Sequence, residues 1–422
     1  MKFVSACLAA GAIVAGTALA QAPADYESGV LLNTTDLLPA ELLRGASHRV
    51  RDQVATDGFL AHFEIDSDFG TFTAVGVPEA RRTIAEFDAI RRLVATSKSD
   101  LFAEGLRRSI EQPIDAVKNI ITHPVESVKQ APKTVGHFFN KVGSAIGRGA
   151  DKIAGSTSGD GPKPSAGEVG SATAETAKNI AGFDKAKLDT ARQLGVDPYS
   201  DNARLHSEIE KVTWAFFAGG LPLRIGAIVV SGGASTALTA TKAVGIPEDM
   251  YAMTRSEIAL RDETSLQAMQ VPVGDISKFQ IHPALSTTRR HRIVALLEDL
   301  PLATGKPAII GLANACETPA QAEFLINALA ILANHQISGA ADYVALKVVG
   351  RLPGAETRTG EIHVPAPVDH VTWTPEAAAF ARRDDLGQQP KVLVHTGNLS
   401  PATTAGLAAN GWKTISVGYP TR

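Results

Sequence analysis

An α+β fold assembled from sequential modules is what this sequence predicts, and three observations carry the prediction. Strand-like alternation is concentrated near the two ends of the chain, at 28–76 and again beyond 339. The middle, 174–338, carries helical periodicity and helix caps instead. A Gly/Ser/Pro-rich run at 154–173 has the composition of a flexible linker. The modules so defined are a signal peptide (1–20), a β-meander plus helix (21–100), an amphipathic helical segment (101–153), the linker (154–173), an all-helical domain (174–338) and a small α/β unit (339–422).

The first twenty residues read as a targeting segment. Lys2 gives a short positive start, Phe3 to Leu19 is apolar or small, and Ala18-Leu19-Ala20 is a cleavage site that makes Gln21 the expected new N-terminus. The apolar run is too short for a permanent membrane span. Export is therefore expected, to the periplasm or outer envelope of a bacterium. Removing these 20 residues from 422 leaves 402, enough for two or three cores, and shifts the net charge from −3 to −4. A nearly balanced, mildly acidic chain is a poor general binder of nucleic acid. Cleavage also removes Cys7, so Cys316 has no intramolecular disulfide partner. It follows the apolar run Ile309–Ala315, which points to a buried small hydrophobe rather than a reactive thiol.

Within 28–76, Val50, Val54, Phe59, Ala61, Phe63 and Ile65 alternate in two runs, broken by Thr56-Asp57-Gly58; a third strand follows over Phe69–Val75. Pro78 opens a helix whose buried side is Ile84, Phe87, Ile90 and Val94, with Arg81, Arg82, Arg91 and Arg92 expected on its wet side.

From Ile110 to Ile153, apolar residues recur in steps of three and four, among them Val117, Ile121, Val128, Val135 and Phe139. The seven residues from Pro113 are echoed eleven residues later from Pro124, a period that keeps one stripe on a helix. Lys118, Lys129, Lys133 and Lys141 lie opposite the stripe. Residues 107–152 hold eight Lys or Arg against four Asp or Glu, a local positive excess in a negative chain. Prolines 113, 124 and 132 divide the segment into short hinged helices. Such a stripe suits an anionic lipid surface, a protein partner or another part of the same chain.

In the helical domain, Lys185–Leu194 is one helix. The loop Asp197–Asn202 is dense in turn formers, with oxygens at Asp197, Ser200, Asp201 and Asn202 that serve as turn and cap, or as ligands of a hard cation. A second helix has Leu205, Ile209, Val212 and Phe216 as its stripe. Residues 213–246 are small and weakly charged, and read as a buried helical hairpin. Thr254 with Glu257, and Thr318 with Gln321, have capping-box spacing; helices are expected near 255–269, 287–300, 304–316 and 319–335.

The α/β unit has strands at Tyr343–Val349, Glu361–His363, Val368–Trp373, Lys391–His395 and Trp412–Val417, the last two joined by a helix from Pro401 to Ala409, hence in parallel. Two candidate sites lie here. The loop His395, Thr396, Gly397, Asn398 and Ser400 leads from a strand to a helix N-terminus, where backbone donors could hold a phosphate or carboxylate. His363, His370 and His395 belong to three strands and form a candidate zinc set, although no metal or other cofactor is required by the pattern. No established catalytic or nucleotide-binding motif is present.

The function expected from the sequence is an exported envelope protein without catalytic activity, docking on an anionic lipid surface or an envelope protein partner through Val117, Lys118, Ile121, Val128, Lys129, Lys133, Val135, Phe139 and Lys141. The alternative is an exported hydrolase, or a protein binding an anion or small ligand, with its site at His395–Ser400.

Overall fold

The structure, a computed structural model, describes residues 25–111, 174–223, 225, 245–301 and 304–420. The expected signal peptide, most of the expected amphipathic segment, the expected linker and most of the expected 213–246 hairpin lie outside the described residues. No helix among the described residues is long and apolar enough to cross a membrane.

The fold is α+β, as expected. Near the N-terminus, β1 (Leu31–Asn33), β2 (His48–Val50), β3 (Gln53–Thr56), β4 (Ala61–Ser67) and β5 (Gly70–Val75) make an antiparallel sheet in which β4 pairs with β2, β3 and β5. A four-residue helix, α1 (Ala40–Leu43), precedes β2. Phe63 and Ile65 alternate with polar neighbours along β4 and turn inward, as a sheet with one buried face requires. The helix α2 (Val77–Thr96) buries Val77, Phe87, Ile90 and Leu93 against this sheet. The chain continues into α3 (Asp100–Glu111), and later into α4 (Ala174–Leu194) and α5 (Ala203–Ala218). Leu205, Ile209, Val212 and Phe216 of α5 join the same core. α3 crosses α5 at close range through Gly105, where a Cβ would stand 2.5 Å from the Ala215 carbonyl oxygen.

A second core is built from α6 (Arg255–Ala268), α7 (Val273–Ile281), α8 (Thr287–Glu298), α9 (Lys306–Ala313) and α10 (Pro319–Ser338), packed with the C-terminal sheet. That sheet has the order β12-β10-β8-β7-β6, with β6 (Tyr343–Val349), β7 (Leu352–Thr357), β8 (Ile362–Ala366), β10 (Lys391–His395) and β12 (Trp412–Ser416). The expected parallel pairing holds at β10/β12 and β10/β8, whereas β6, β7 and β8 pair antiparallel. A two-residue pair, β9 (His370–Val371) with β11 (Asn398–Leu399), stands apart. Ile331 of α10 meets Val392 and Val394 on one face of β10. Leu393 instead meets Trp373, Phe380 of α11 (Pro375–Ala381) and Leu407 of α12 (Pro401–Ala409). The sheet is thus covered on both faces at its centre, where β8 and β10 are almost wholly buried, while the edge strand β12 is exposed beyond Trp412.

The N-terminal sheet has five strands where three were expected, with Val50 and Val54 on separate strands, and two further elements depart from the sequence reading. β7 contains Pro353 and Gly354, which read as breakers; Pro353 pairs with Val348 of β6, while β8 meets β7 only at Ala355 and Glu356, so the missing N–H of the proline is not needed on that side. α7 follows Pro272 and carries Gly274 in its first turn, which disguised it as a loop. The stretch 174–338, expected as one helical domain, is divided: α4 and α5 pack on the first core, α7 to α10 on the second.

The two sheets do not merge, but they are tied together. The β3–β4 turn pushes Phe59 and Leu60 into the second core. Its carbonyls accept hydrogen bonds from the chain following β8: Asp369 N and His370 N donate to Phe59 O, and Thr372 N donates to Gly58 O. In return the fully buried Asp369 carboxylate accepts from Ala61 N (2.8 Å), from Val77 N at the start of α2 (3.2 Å), and from the Tyr419 hydroxyl.

Candidate functional site

Between the two cores lies a cavity of about 500 Å³. Glu79, Arg82, Thr83 and Glu86 are spaced i, i+3, i+4 and i+7 on α2, so one helix face presents all four to it. The loop before α5 adds Asp197, Ser200, Asp201 and Asn202; α8 adds Thr288, Arg289 and Arg292; α10 adds Glu323; Phe69 and Phe72 come from the β4–β5 hairpin.

Glu323 is the hub. Arg82 grips it with two parallel hydrogen bonds of 2.8 Å each; Arg289 donates to it from Nε at 3.0 Å, and Arg292 at 3.1 Å. Arg82 also reaches Glu79 (3.1 Å), and Arg289 pairs with Asp201. Burial pushes the Glu323 carboxyl upward, but the charges of Arg82, Arg292 and Arg289 outweigh it and hold the group well below the usual carboxylate range. A carboxylate bonded to three guanidiniums, two of them buried, stays ionised. The sequence reading placed Arg82 on the wet side of α2; it is half-buried instead, because α2 is packed between the sheet and α5, and Arg82 reaches across the cavity to Glu323 of α10.

Glu86 behaves oppositely. It is buried, accepts from the Ser200 hydroxyl (2.6 Å) and from Asn202 Nδ2 (2.7 Å), and has no guanidinium bonded to it. Burial pushes its carboxyl up to about 7, against those two hydrogen bonds. Asp197 is likewise raised by burial, although it accepts from the Thr288 hydroxyl (2.7 Å) and from Tyr199 N (2.8 Å). The cleft therefore holds one carboxylate fixed in its charged form and two carboxyls whose protonation is displaced toward neutrality, a division of labour found where protons are handled.

The loop Asp197–Asn202 was read as turn, cap or cation ligand. It performs the first two tasks: Asp197 closes a turn on Tyr199, and Asn202 caps α5 by accepting from Arg204 N and Leu205 N. The same Asp197 oxygen also accepts from the Thr288 hydroxyl, Ser200 donates to Glu86, and Asp201 pairs with Arg289. Among the described residues no group of three His, Cys, Asp or Glu side chains stands ready to hold a metal ion.

The residues expected at the C-terminal loop are brought together, but several of their polar groups are engaged within the chain. Ser400 caps α12 by accepting from Thr403 N (3.0 Å) and donates its proton to Glu27 Oε2 at 2.5 Å. Glu27 also accepts from Trp373 N (2.6 Å), so a carboxylate of the same chain sits where a ligand anion was expected. Thr396 donates to Val368 O, Asn398 N donates to Asp369 O, and a Cβ on Gly397 would meet Asp369 O at 2.1 Å. The three histidines do not converge. His395 Nδ1 faces Gly397 O at 2.7 Å, His363 Nδ1 meets the Tyr343 hydroxyl at 3.1 Å, and His370 lies on the separate β9. His363 is opposite Val392, three residues along β10 from His395. The residues expected to dock, Val117 to Lys141, lie outside the described residues.

Sequence reasoning missed Glu86 and Glu323 altogether. Glu86 offered one signal, a carboxylate within the buried stripe Ile84, Phe87, Ile90 of its helix; Glu323 offered another, the lone acid of a helix, set just before the apolar run from Phe324. No protein-family model matches the chain, and no curated protein or solved structure is significantly similar to it.

Proposed function

We propose that this chain binds a small polar ligand in the cleft between its two cores, with Glu86 placed to exchange a proton with it. The observation that supports this is a cavity of about 500 Å³ whose wall carries six buried or largely buried ionisable side chains, Arg82, Glu86, Asp197, Arg289, Arg292 and Glu323, drawn from both cores. A mainly structural ion network would close over its charges; this one lines open space. Elements from both cores form the wall, so ligand binding would also stiffen the seam between them.

The test is a screen of polar small molecules by thermal shift at pH 6 and pH 8, with hits measured by calorimetry. The expected result is a ligand that raises the melting temperature of the wild type and binds Glu86→Gln with an altered pH dependence. A hit that binds Glu86→Gln and wild type alike at every pH would remove Glu86 from the reading, and a hit insensitive to every substitution around the cavity would remove the cavity.

We also propose, from the sequence pattern, that the chain is exported and that 110–153 docks on an anionic lipid surface. The apolar stripe with its facing lysines supports this.

A further inference from the structure

The cleft is rich in charge and yet has little charge to spare. Each arginine lining it is paired: Arg82 with Glu79 and Glu323, Arg289 with Glu323 and Asp201, Arg292 with Glu323, and Arg204 with Glu208 at 2.8 Å. An anionic ligand would have to pull a guanidinium from a carboxylate that stays behind, buried and unpaired, which is strongly unfavourable. A cationic ligand would have to do the same to Glu79, Asp201 or Glu323; Glu86 and Asp197 carry no arginine, but they already accept hydrogen bonds from Ser200, Asn202, Thr288 and Tyr199 N, and burial favours their neutral forms. Hydroxyl groups face no such obstacle. A hydroxyl both donates and accepts, so it can bond to the free edges of a carboxylate and a guanidinium without parting them.

The wall also offers an apolar platform. Phe69 and Phe72 are half-buried on the β4–β5 hairpin at the edge of the cavity. Phe72 is braced edge-on against Phe87, with ring centroids 5.0 Å apart, and Arg204 lies 5.9 Å from the centre of the Phe69 ring. An aromatic face suits a ligand that has a C–H face as well as hydroxyls.

Resting on the small-ligand reading above, we infer that the ligand is an uncharged, polyhydroxylated molecule, a saccharide, stacked on Phe69 and hydrogen-bonded to the self-neutralised charges of the cleft.

The experiment is calorimetric titration of the full chain with three sets of probes: neutral mono- and disaccharides (glucose, N-acetylglucosamine, cellobiose, maltose), anions (inorganic phosphate, citrate), and zwitterions (glycine, glycylglycine). A neutral saccharide is expected to bind, with an affinity that changes less than twofold between 20 and 500 mM salt, since no ion pair is formed or broken. Phe69→Ala should weaken it at least tenfold while leaving the melting temperature of the free protein within a few degrees. Phe69→Trp should restore it, which a merely structural role for the ring would not predict. Binding of phosphate, citrate or a zwitterion without binding of any saccharide would overturn the saccharide assignment and leave the small-ligand reading standing. Binding of nothing in the three sets would overturn the saccharide assignment, and the broader screen would then decide the reading beneath it.

Discussion

Replacing Glu323 by Gln would leave Arg82, Arg289 and Arg292 gathered around a neutral amide. Two of those guanidiniums keep another carboxylate, but the shared centre is lost. Breaking a buried pair from one side typically destabilises by about 3–5 kcal/mol. Urea unfolding of Glu323→Gln should show a loss of that order, and a loss under about 1 kcal/mol would mean the arginines do not depend on it. Cys316 is the contrasting residue. It is buried, its thiol is pushed up to about 12 by burial, and its only hydrogen-bond partner in view is the Leu312 carbonyl. A thiol so far from its thiolate is packing, not a nucleophile. Cys316→Ser should cost about 1 kcal/mol or less and leave ligand binding unchanged; a variant that stays folded but no longer binds would contradict this.

At the scale of elements, the crossing of α3 over α5 depends on there being no side chain at Gly105. Gly105→Ala should destabilise by roughly 1–3 kcal/mol although alanine is the better helix former, because the overlap is with backbone rather than with a movable side chain. An unchanged or raised melting temperature would show that the helices can separate without loss. The segment 110–153 makes a separate prediction. Replacing Val117, Ile121, Val128 and Val135 by Ser should abolish co-sedimentation with anionic vesicles. Replacing Lys118, Lys129, Lys133 and Lys141 by Gln should weaken it by on the order of 1 kcal/mol per lysine at low salt. If the wild type ignores vesicles and the Ser variant melts early, the stripe packs on the protein itself.

For the molecule as a whole, the buried carboxyls at the seam tie stability to pH. Glu86, pushed up to about 7, and Asp369, pushed up to about 6, are both raised by burial above their unfolded values. A raised carboxyl holds its proton in the fold over a range where the unfolded chain has released it. Its contribution is therefore complete below the unfolded value and is lost as pH rises through the folded one. Buried histidines such as His363 and His395, lowered by burial, act in the other direction, so the raw pH profile mixes both. A difference measurement isolates one group. Relative to wild type, Glu86→Gln should gain on the order of 2–3 kcal/mol between pH 5 and pH 8. A flat difference would mean that Glu86 is ionised throughout. Asp369→Asn should respond over a lower range, between about pH 4 and pH 6.

Much of the fold could be read locally. Alternation in β4, the proline that opens α2, the Thr254–Glu257 capping box and the parallel β10–α12–β12 unit depend on residues within a few positions of one another, and physics at that range is written in the sequence. Elements whose local signals conflict with their tertiary place, such as β7 with its Pro353 and Gly354, were not legible, because the stretch of β7 that tolerates the proline is set by where the distant β8 stops pairing with it. The cleft belongs to this second kind. Residues 79–86, 197–204, 286–292 and 323 meet only because two cores dock, and no spacing between them announces it. Even the anion expected at the start of α12 was supplied from outside any local window, by Glu27, some 373 positions before the Ser400 it accepts from. Sequence alone determined most of the elements and the two strand-rich ends; tertiary structure decided the elements whose local signals conflict and which charges are buried together, since burial and pairing are properties of what packs against a residue and not of what precedes it.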